Sequence, residues 1–264
     1  MKIIDCSGYS YLSCVQETPA EKGNVISGIA VEHGMDLWLN EQPAMHLTCT
    51  PQQLDELVVG RLLTEGWIQR VEQIKTLYIC EKGLLARVTV SADIASSLKK
   101  PETESVGTCC TDNRMLLEKE SKALSAVPSI QWNEESLKKA VTKLHTEQKL
   151  YELTHAVHAC ALIREDHLLC CREDIGRHNA LDKVIGWALL SGLDLHTCML
   201  FSTGRLPADM VLKAVRAGIP LLASKTYPTD RGLEIAQRTG LTLITIRPEG
   251  ACIPWNGGSG GIKH

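Results

Sequence analysis

The sequence has no long apolar run. None of its stretches approaches the roughly 20 apolar residues that span a bilayer, and residues 1–6 do not begin a signal peptide. We therefore expect a cytoplasmic protein without membrane contact. Aromatic residues are scarce, at 4%, with Phe201 as the single phenylalanine. The hydrophobic share of 44% and the charged share of 22% are ordinary for a globular chain and exclude a disordered, fibrous or coiled-coil protein.

The sequence also has little net charge. Its formal charge of −3 gives no reason to expect nucleic acid or an anionic membrane as partner. The charge is unevenly distributed, because residues 205–247 hold seven basic and three acidic side chains. That stretch carries +4 and the remainder −7. A solvated helix surface explains such a stretch, and so does a local site for an anionic ligand.

Metal-binding motifs are missing as well. The 11 cysteines fit neither Cys-x-x-Cys nor a zinc knuckle, and no zinc-deaminase ligand set is visible, so we expect no bound zinc or other metal. In the reducing cytoplasm the thiols should be free. Cys170 and Cys171 are expected to pack in an apolar strand. Cys109 and Cys110 lie in a polar loop, which favours thiol chemistry over an incidental exposed thiol.

The first third of the chain combines strands with one helix. Strands are predicted at 24–32, 35–40, 44–49, 74–80 and 84–90. Thr50 to Gln53 has the form of a capping box with Pro51 at the first helical position, and the apolar spacing continues until Gly66 ends the helix. Between residues 96 and 113 the apolar pattern lapses, which indicates a connecting loop.

The second half alternates strands with helices. After a helix over 133–150, the pattern predicts strands at 159–163, 167–171, 198–202, 221–224 and 241–246, and helices at 177–190, 207–217 and 230–239. This alternation predicts an α/β fold with a parallel sheet covered on both faces. We place a smaller α+β domain at 1–104, a cysteine loop and linker at 105–125, and an α/β domain at 126–264.

Loops at the carboxyl ends of parallel strands should meet at one edge of the sheet. Four loops are expected there, at 173–178, 202–205, 224–231 and 247–250. Their basic residues then lie beside helix N-termini, which favour anions. Ser202 to Arg205 is the strongest candidate, because Gly204 allows close backbone approach and Arg205 can grip a phosphate. Singly, each loop is better explained by turn and cap residues; together they favour a phosphorylated or nucleotide-like ligand.

Histidines and aspartates near these loops have several interpretations. His155 and His158 are three residues apart and would share one face of a helix, where a zinc site is conceivable. We expect His155 to be structural and keep His158 and His178 as candidates for the site. Asp174 and Asp182 are expected to cap or orient, because no matched carboxylate pair is evident.

One segment carries a specific resemblance. Residues 173–183, read as Glu-Asp-Ile-Gly-Arg-His-Asn-Ala-Leu-Asp-Lys, resemble the signature of the formate dehydrogenase accessory sulfurtransferase family of FdhD/NarQ type. The similarity extends from about residue 24 to 255 and includes four further segments, at 50–68, 154–158, 202–205 and 217–229. The family usually has Cys-x-x-Cys in its reactive loop, and this chain departs from it with the adjacent Cys109 and Cys110.

The resemblance implies a three-layer, cytidine-deaminase-like α/β/α fold, a homodimer and no zinc. It implies a sulfurtransferase that takes persulfide sulfur from a cysteine desulfurase onto Cys109, with Cys110 as acceptor or alternate. The sulfur then passes to the molybdenum bis(molybdopterin guanine dinucleotide) cofactor of formate dehydrogenase. By resemblance and placement, the residues expected to bind that cofactor are Ile246, Arg247, Pro248, Glu249, Gly250, Ala251, Ser202, Thr203, Gly204, Arg205, Lys225, Arg177, His178 and His158.

Two other functions stay open at this point. The protein could be a chaperone that binds the molybdenum cofactor without handling sulfur, because adjacent cysteines place a sulfur relay between them in doubt. A zinc-dependent nucleobase deaminase is the third alternative.

Overall fold

The computed structural model describes residues 4–5, 15–16, 28–91 and 124–256. The strands are β1 (Ile4–Asp5), β2 (Val15–Gln16), β3 (Ile29–Ala30), β4 (His33–Leu39), β5 (Gln42–Cys49), β6 (Ile74–Ile79), β7 (Leu85–Val90), β8 (His158–Arg164), β9 (His167–Asp174), β10 (Met199–Ser202), β11 (Leu221–Ser224), β12 (Thr242–Ile246) and β13 (Cys252–Pro254). The helices are α1 (Leu54–Thr64), α2 (Glu134–Glu147), α3 (Lys149–Thr154), α4 (Arg177–Leu190), α5 (Ala208–Arg216) and α6 (Asp230–Thr239).

The first sheet has five strands in the order β1-β6-β7-β4-β5. Its strands alternate as a half-buried sheet should: in β4, Met35 and Leu37 are fully buried, whereas Asp36 between them is exposed. Helix α1 packs against this sheet with Leu54, Leu57 and the rest of its apolar face. The predicted strands at 35–40, 44–49, 74–80 and 84–90 are thereby confirmed to within two residues.

The second sheet has six strands in the order β13-β12-β11-β10-β8-β9. Only β10, β11 and β12 pair in parallel, so the expectation of a parallel sheet is wrong for the other strands. The reason lies in two tight connections. Glu165 adopts a left-handed conformation between β8 and β9, and Gly250 does so between β12 and β13, and each makes an antiparallel hairpin. Strand β8 is antiparallel to both neighbours, so β9 still runs in the direction of β10 to β12.

Helices cover both faces of this second sheet. Side chains that alternate along each strand divide into two cores: Ala161, Met199 and Phe201 pack against α2, whereas Leu162 and Leu200 face α4, α5 and α6. This is the three-layer α/β/α arrangement expected for the larger unit. The further likeness to cytidine deaminases stays a prediction.

Helix α1 also packs directly against α4, which joins the two sheets through one continuous core. Glycines permit the contact. A Cβ atom at Gly60 would lie 1.8 Å from the carbonyl oxygen of Asp182, and one at Gly186 would lie 1.8 Å from that of Glu56. The backbones therefore touch at two points where no larger residue fits.

Two local predictions are corrected by the structure. The capping box does not form, because the N-cap of α1 is Gln53 in a left-handed conformation and Thr50 hydrogen-bonds elsewhere. The helix expected at 133–150 is divided at Gln148 into α2 and α3. His155 is the C-cap of α3 and has a φ of +52°. His155 and His158 therefore do not share a helix face, since His158 begins β8. Among the described helices, none combines the length and apolar character that crossing a bilayer requires.

Candidate functional site

The carboxyl ends of β9 to β12 meet at one edge of the second sheet, which we call the basic edge. His158 at the start of β8 pairs with Asp174 at the end of β9, and Cys160 pairs with Ser202 at the end of β10. Ser202 in turn pairs with Ser224 at the end of β11. The loops that follow these strands therefore leave the sheet side by side, as the sequence predicted.

Positive side chains collect around His158 at this edge. Burial lowers the pKa of the half-buried His158 ring, and the charges of Arg177, Lys225, His178 and Arg205 lower it further, in that order. An imidazole with a lowered pKa is neutral near pH 7. Its cationic neighbours favour an anion at the same place. We call these five residues the His158 cluster.

Arg177 stands at the centre of this arrangement. A Cβ atom added to Gly204 would lie 2.9 Å from the Cβ atom of Arg177. Only glycine at position 204 therefore allows the loop after β10 to pack on Arg177. The Nε atom of Arg177 is buried without a hydrogen-bond partner among the described residues. The Arg177 guanidinium thus has an N–H donor that could bond to a ligand, because no acceptor of the described residues pairs with it.

The loop after β10 is held by its own polar groups. Ser202 is fully buried, and its hydroxyl accepts the Gly204 N–H at 3.1 Å. The Gly204 carbonyl accepts the hydroxyls of Ser224 at 2.8 Å and Thr226 at 2.9 Å. Thr203 exchanges hydrogen bonds with the backbone of Ala159. These groups fix the loop and leave Arg205, which is exposed, free to contact a ligand.

His178 is held by a carboxylate. Its Nε2 atom lies 2.7 Å from Oδ2 of Asp209, in the first turn of α5. Burial alone would raise the pKa of Asp209, but the hydrogen bond and charge of His178 lower it below its ordinary value. The pair links the N-termini of α4 and α5 beside the basic edge.

Residues 246–251 comprise the last residue of β12 and the turn that joins it to β13. Ile246 is buried against α2, whereas Arg247 and Glu249 are exposed and lie 3.3 Å apart. The Arg247 N–H donates to Ala251 at 2.9 Å, and Gly250 donates back to Arg247 at 2.8 Å. The turn stands at the same edge, with β11 and β10 between its strand and β8.

Four residues within 173–183 belong to a buried polar network: Asp174, Asn179, Asp182 and Lys183. Asp174 and Lys183 form an ion pair of 2.7 Å with both side chains fully buried. Thr50 joins them, because its hydroxyl lies 2.9 Å from Asp174 and 2.7 Å from the Lys183 ammonium. Asp174 also accepts the Gly176 N–H at 2.9 Å, so this network orients the turn that carries Arg177. The expected orienting role of Asp174 is confirmed.

The network continues between α1, α4 and α5. Arg61 pairs with Asp182 at 2.7 Å, and Lys213 bonds Asp182 at 3.2 Å and Glu65 at 2.9 Å. Asn179 connects the two halves, because it accepts from Arg61 at 2.8 Å and donates to Asp174.

Two residues of the basic stretch therefore bond to the end of α1. Lys213 is buried in this interior, and the half-buried Arg216 donates from its guanidinium to the Thr64 carbonyl at 2.7 Å. The excess of +4 between residues 205 and 247 overstates the charge at the basic edge. The signal that could have revealed this is the charged pair Asp182 and Lys183, which interrupts the apolar residues of α4 after its polar first turn.

Three thiols of β8 and β9 are poor nucleophiles. Burial raises the pKa of Cys160 and of Cys170 to about 12, and also raises that of Cys171. The packing role expected for Cys170 and Cys171 agrees with their place in β9. Cys109 and Cys110 lie outside the described residues. Within residues 28–91 and 124–256, no group of three metal-ligating side chains comes together.

Fold and site together define a mixed α/β protein whose candidate site lies at the carboxyl ends of its strands. The chain belongs to the FdhD/NarQ family, whose model matches residues 30–253. It is 34% identical over 221 residues to the "Sulfur carrier protein FdhD" of Shouchella clausii. The alignment covers 82% of this chain and 83% of that relative. The protein of the same name from Bacillus subtilis is 30% identical, and the alignment covers 85% of this chain and 86% of that protein.

A solved structure agrees with this membership. The crystal structure of a formate dehydrogenase accessory protein from Desulfotalea psychrophila matches with a TM-score of 0.76 and 26% identity. The match covers 93% of this chain and 97% of that one.

Proposed function

We propose that the protein is a sulfur carrier that takes persulfide sulfur from a cysteine desulfurase and delivers it to the molybdenum bis(molybdopterin guanine dinucleotide) cofactor of formate dehydrogenase. The names of its relatives support sulfur carriage, and the solved accessory protein supports formate dehydrogenase as the partner. We expect it to act in the cytoplasm as a homodimer.

The observation that carries the proposal is the His158 cluster. Arg177, Lys225, His178 and Arg205 all lie close enough to His158 to lower its pKa, and α4 and α5 begin beside them. The proposed substrate bears several phosphates, which such an edge attracts through its charges and the free N–H groups of helix N-termini. Residues 246–251 would hold its outer end.

The sulfur step needs an accessible thiolate. Cys160, Cys170 and Cys171 are unsuited, because burial keeps them protonated near pH 7. By the resemblance of its loop to the family's reactive loop, we propose Cys109 as carrier, with Cys110 as acceptor or alternate. The carrier thiolate attacks the outer sulfur of the desulfurase persulfide, a new S–S bond forms, and the desulfurase cysteine leaves as a thiolate. This exchange involves no net oxidation.

Delivery of the sulfur requires two electrons. A second thiol supplies them when it attacks the carrier sulfur: a disulfide forms, the S–S bond of the persulfide breaks, and hydrogen sulfide is released for the metal. Because a disulfide between the adjacent Cys109 and Cys110 would strain the backbone, we expect an external thiol in this role.

Persulfide labelling tests the carrier role. The purified protein is incubated with a cysteine desulfurase and cysteine, and sulfane sulfur is located by mass spectrometry of the peptide that contains Cys109 and Cys110. Cys109→Ala should lose most of the label and the double variant Cys109→Ala, Cys110→Ala all of it. Cys252→Ala serves as control, because burial raises the pKa of that thiol to about 11. Unchanged labelling of the double variant would refute the carrier role.

The alternative is a chaperone that binds the cofactor without handling sulfur. The adjacent cysteines, in place of the family's Cys-x-x-Cys, favour it. Cells that contain only the double cysteine variant distinguish the two functions. Active formate dehydrogenase in those cells supports the chaperone, whereas inactive enzyme in cells with normal levels of the variant supports sulfur transfer.

A further inference from the structure

Tyr227 is an exposed aromatic side chain at the basic edge. In a chain with 4% aromatic residues, Tyr227 is 49% exposed and follows Lys225 in the loop after β11. The Arg247 guanidinium lies close enough to hydrogen-bond its hydroxyl. Lys225 precedes Tyr227 in the same loop, and its ammonium lies 5.9 Å from the centre of the Tyr151 ring. Tyr227 therefore lies beside a cation of the neighbouring strand end.

The loop that carries Tyr227 is fixed on both sides. Before it, Thr226 donates its hydroxyl to the Gly204 carbonyl at 2.9 Å, and its own carbonyl accepts the Thr245 hydroxyl at 3.0 Å. After it, Pro228 forms a bridge with Leu206, whose carbonyl accepts the Thr229 N–H at 3.2 Å. The backbone at Tyr227 is thus held by β10, β12 and the start of α5.

The ring itself is also held. Trp255 packs against it edge to face, with ring centroids 5.4 Å apart and planes at 75°. The Trp255 indole is fixed in turn, because its Nε1–H donates to Thr245 at 2.9 Å. A half-exposed ring supported in this way can bind a flat ligand with little loss of conformational entropy.

We propose that Tyr227 is a stacking platform for the planar heterocyclic base of a phosphate-bearing ligand, whose phosphates lie along the cations Arg205, Lys225 and Arg247. A base stacked on an aromatic side chain contributes about 1–3 kcal/mol, or about five- to 150-fold in affinity. Stacking of this kind tolerates any base, because every base has a π face. The identity of the base as guanine rests on the proposed function; the stacking does not.

Binding of GDP and of inorganic pyrophosphate, measured by calorimetry at fixed salt, tests the proposal. Wild type should bind GDP more tightly than pyrophosphate. Tyr227→Leu should weaken GDP binding about five- to 150-fold and leave pyrophosphate binding unchanged, and ADP should show the same dependence. Tyr227→Phe should keep wild-type affinity. The matched control is Tyr78→Leu, because Tyr78 is 46% exposed on the other sheet and should not affect either ligand.

Several results would overturn the proposal. These are equal affinity of wild type for GDP and pyrophosphate, full GDP affinity in Tyr227→Leu, or an equal loss for both ligands. Circular dichroism of each variant shows that the loss is not unfolding, and Tyr227→Phe retains the packing on Trp255. Sulfur labelling is measured separately. If sulfane sulfur is loaded but GDP binding does not depend on Tyr227, only the stacking proposal is refuted. If GDP binding depends on Tyr227 but no sulfur is loaded, only the sulfur-carrier proposal is refuted.

Discussion

Replacement of the buried Lys183 should be among the most damaging single changes in the chain. Lys183→Met keeps most of the side-chain volume and removes the ammonium. The Asp174 carboxylate would lose a cation at 2.7 Å and stay fully buried. Breaking such a pair by removing one partner costs about 3–5 kcal/mol, because the remaining charge is uncompensated.

The structure places the loss near the lower end of that range. Asp174 would keep the backbone N–H and the hydroxyl of Thr50, at 3.0 and 2.9 Å, and the N–H of Gly176 at 2.9 Å. Hydrogen bonds of this kind partly compensate a buried carboxylate. We therefore expect the free energy of unfolding to fall by about 3 kcal/mol.

Urea denaturation followed by circular dichroism measures this change. The matched control is Lys139→Met, because Lys139 also pairs with a carboxylate, Glu135, at 2.7 Å but on an exposed helix surface. Its unfolding free energy should equal that of wild type within error, since surface pairs contribute little. A loss below about 1 kcal/mol in Lys183→Met would show that desolvation of the ammonium cancels its attraction to Asp174.

Three further predictions concern titratable groups. Burial alone would raise the pKa of Glu65, but Lys213 and Arg61 lower it well below 4.5, so the stability it contributes is complete above about pH 4.5 and is lost as the pH falls. Glu65→Gln should flatten the pH dependence of the urea midpoint between pH 4.5 and 2; an unchanged slope would contradict this. Sulfate should raise the pKa of His158 in an NMR titration, because a bound anion offsets the surrounding cations, and a lower or constant pKa would argue against an anion site. Iodoacetamide at pH 8 should leave Cys160 unmodified in the native protein, as peptide mass spectrometry can show, whereas its rapid alkylation would mean that the thiol is not buried.

Much of the fold could be predicted from local pattern. Helix α4 and strand β11 begin and end at the predicted residues, because their apolar periodicity coincides with their burial. The antiparallel pairing of β8 with β9 could also be predicted, because only three residues separate the predicted strands at 159–163 and 167–171 and parallel strands need a much longer connection. The capping box at Thr50 could not be excluded from local pattern, because its hydroxyl bonds to Asp174, 124 positions along the chain.

The candidate site divides in the same way. Convergence of the loops with Arg177, Arg205 and Lys225 followed from strand direction alone, and the structure brings these side chains around His158. The interior role of Lys213 did not follow, because a charged residue in an amphipathic helix is ordinarily on the surface. Its burial is explained by partners far away in sequence, Thr64, Glu65 and Asp182.

The contact between α1 and α4 has a consequence for synthesis of the chain. Helix α1 ends at Thr64, and the helix that covers it begins only at Arg177. At about 5–20 residues per second, the ribosome leaves the apolar surface of α1 without that partner for on the order of ten seconds. Contacts this distant in sequence also form slowly. The nascent chain that contains α1 but not yet α4 is therefore the form most prone to aggregation. Chaperones of the holdase type can bind it during that interval.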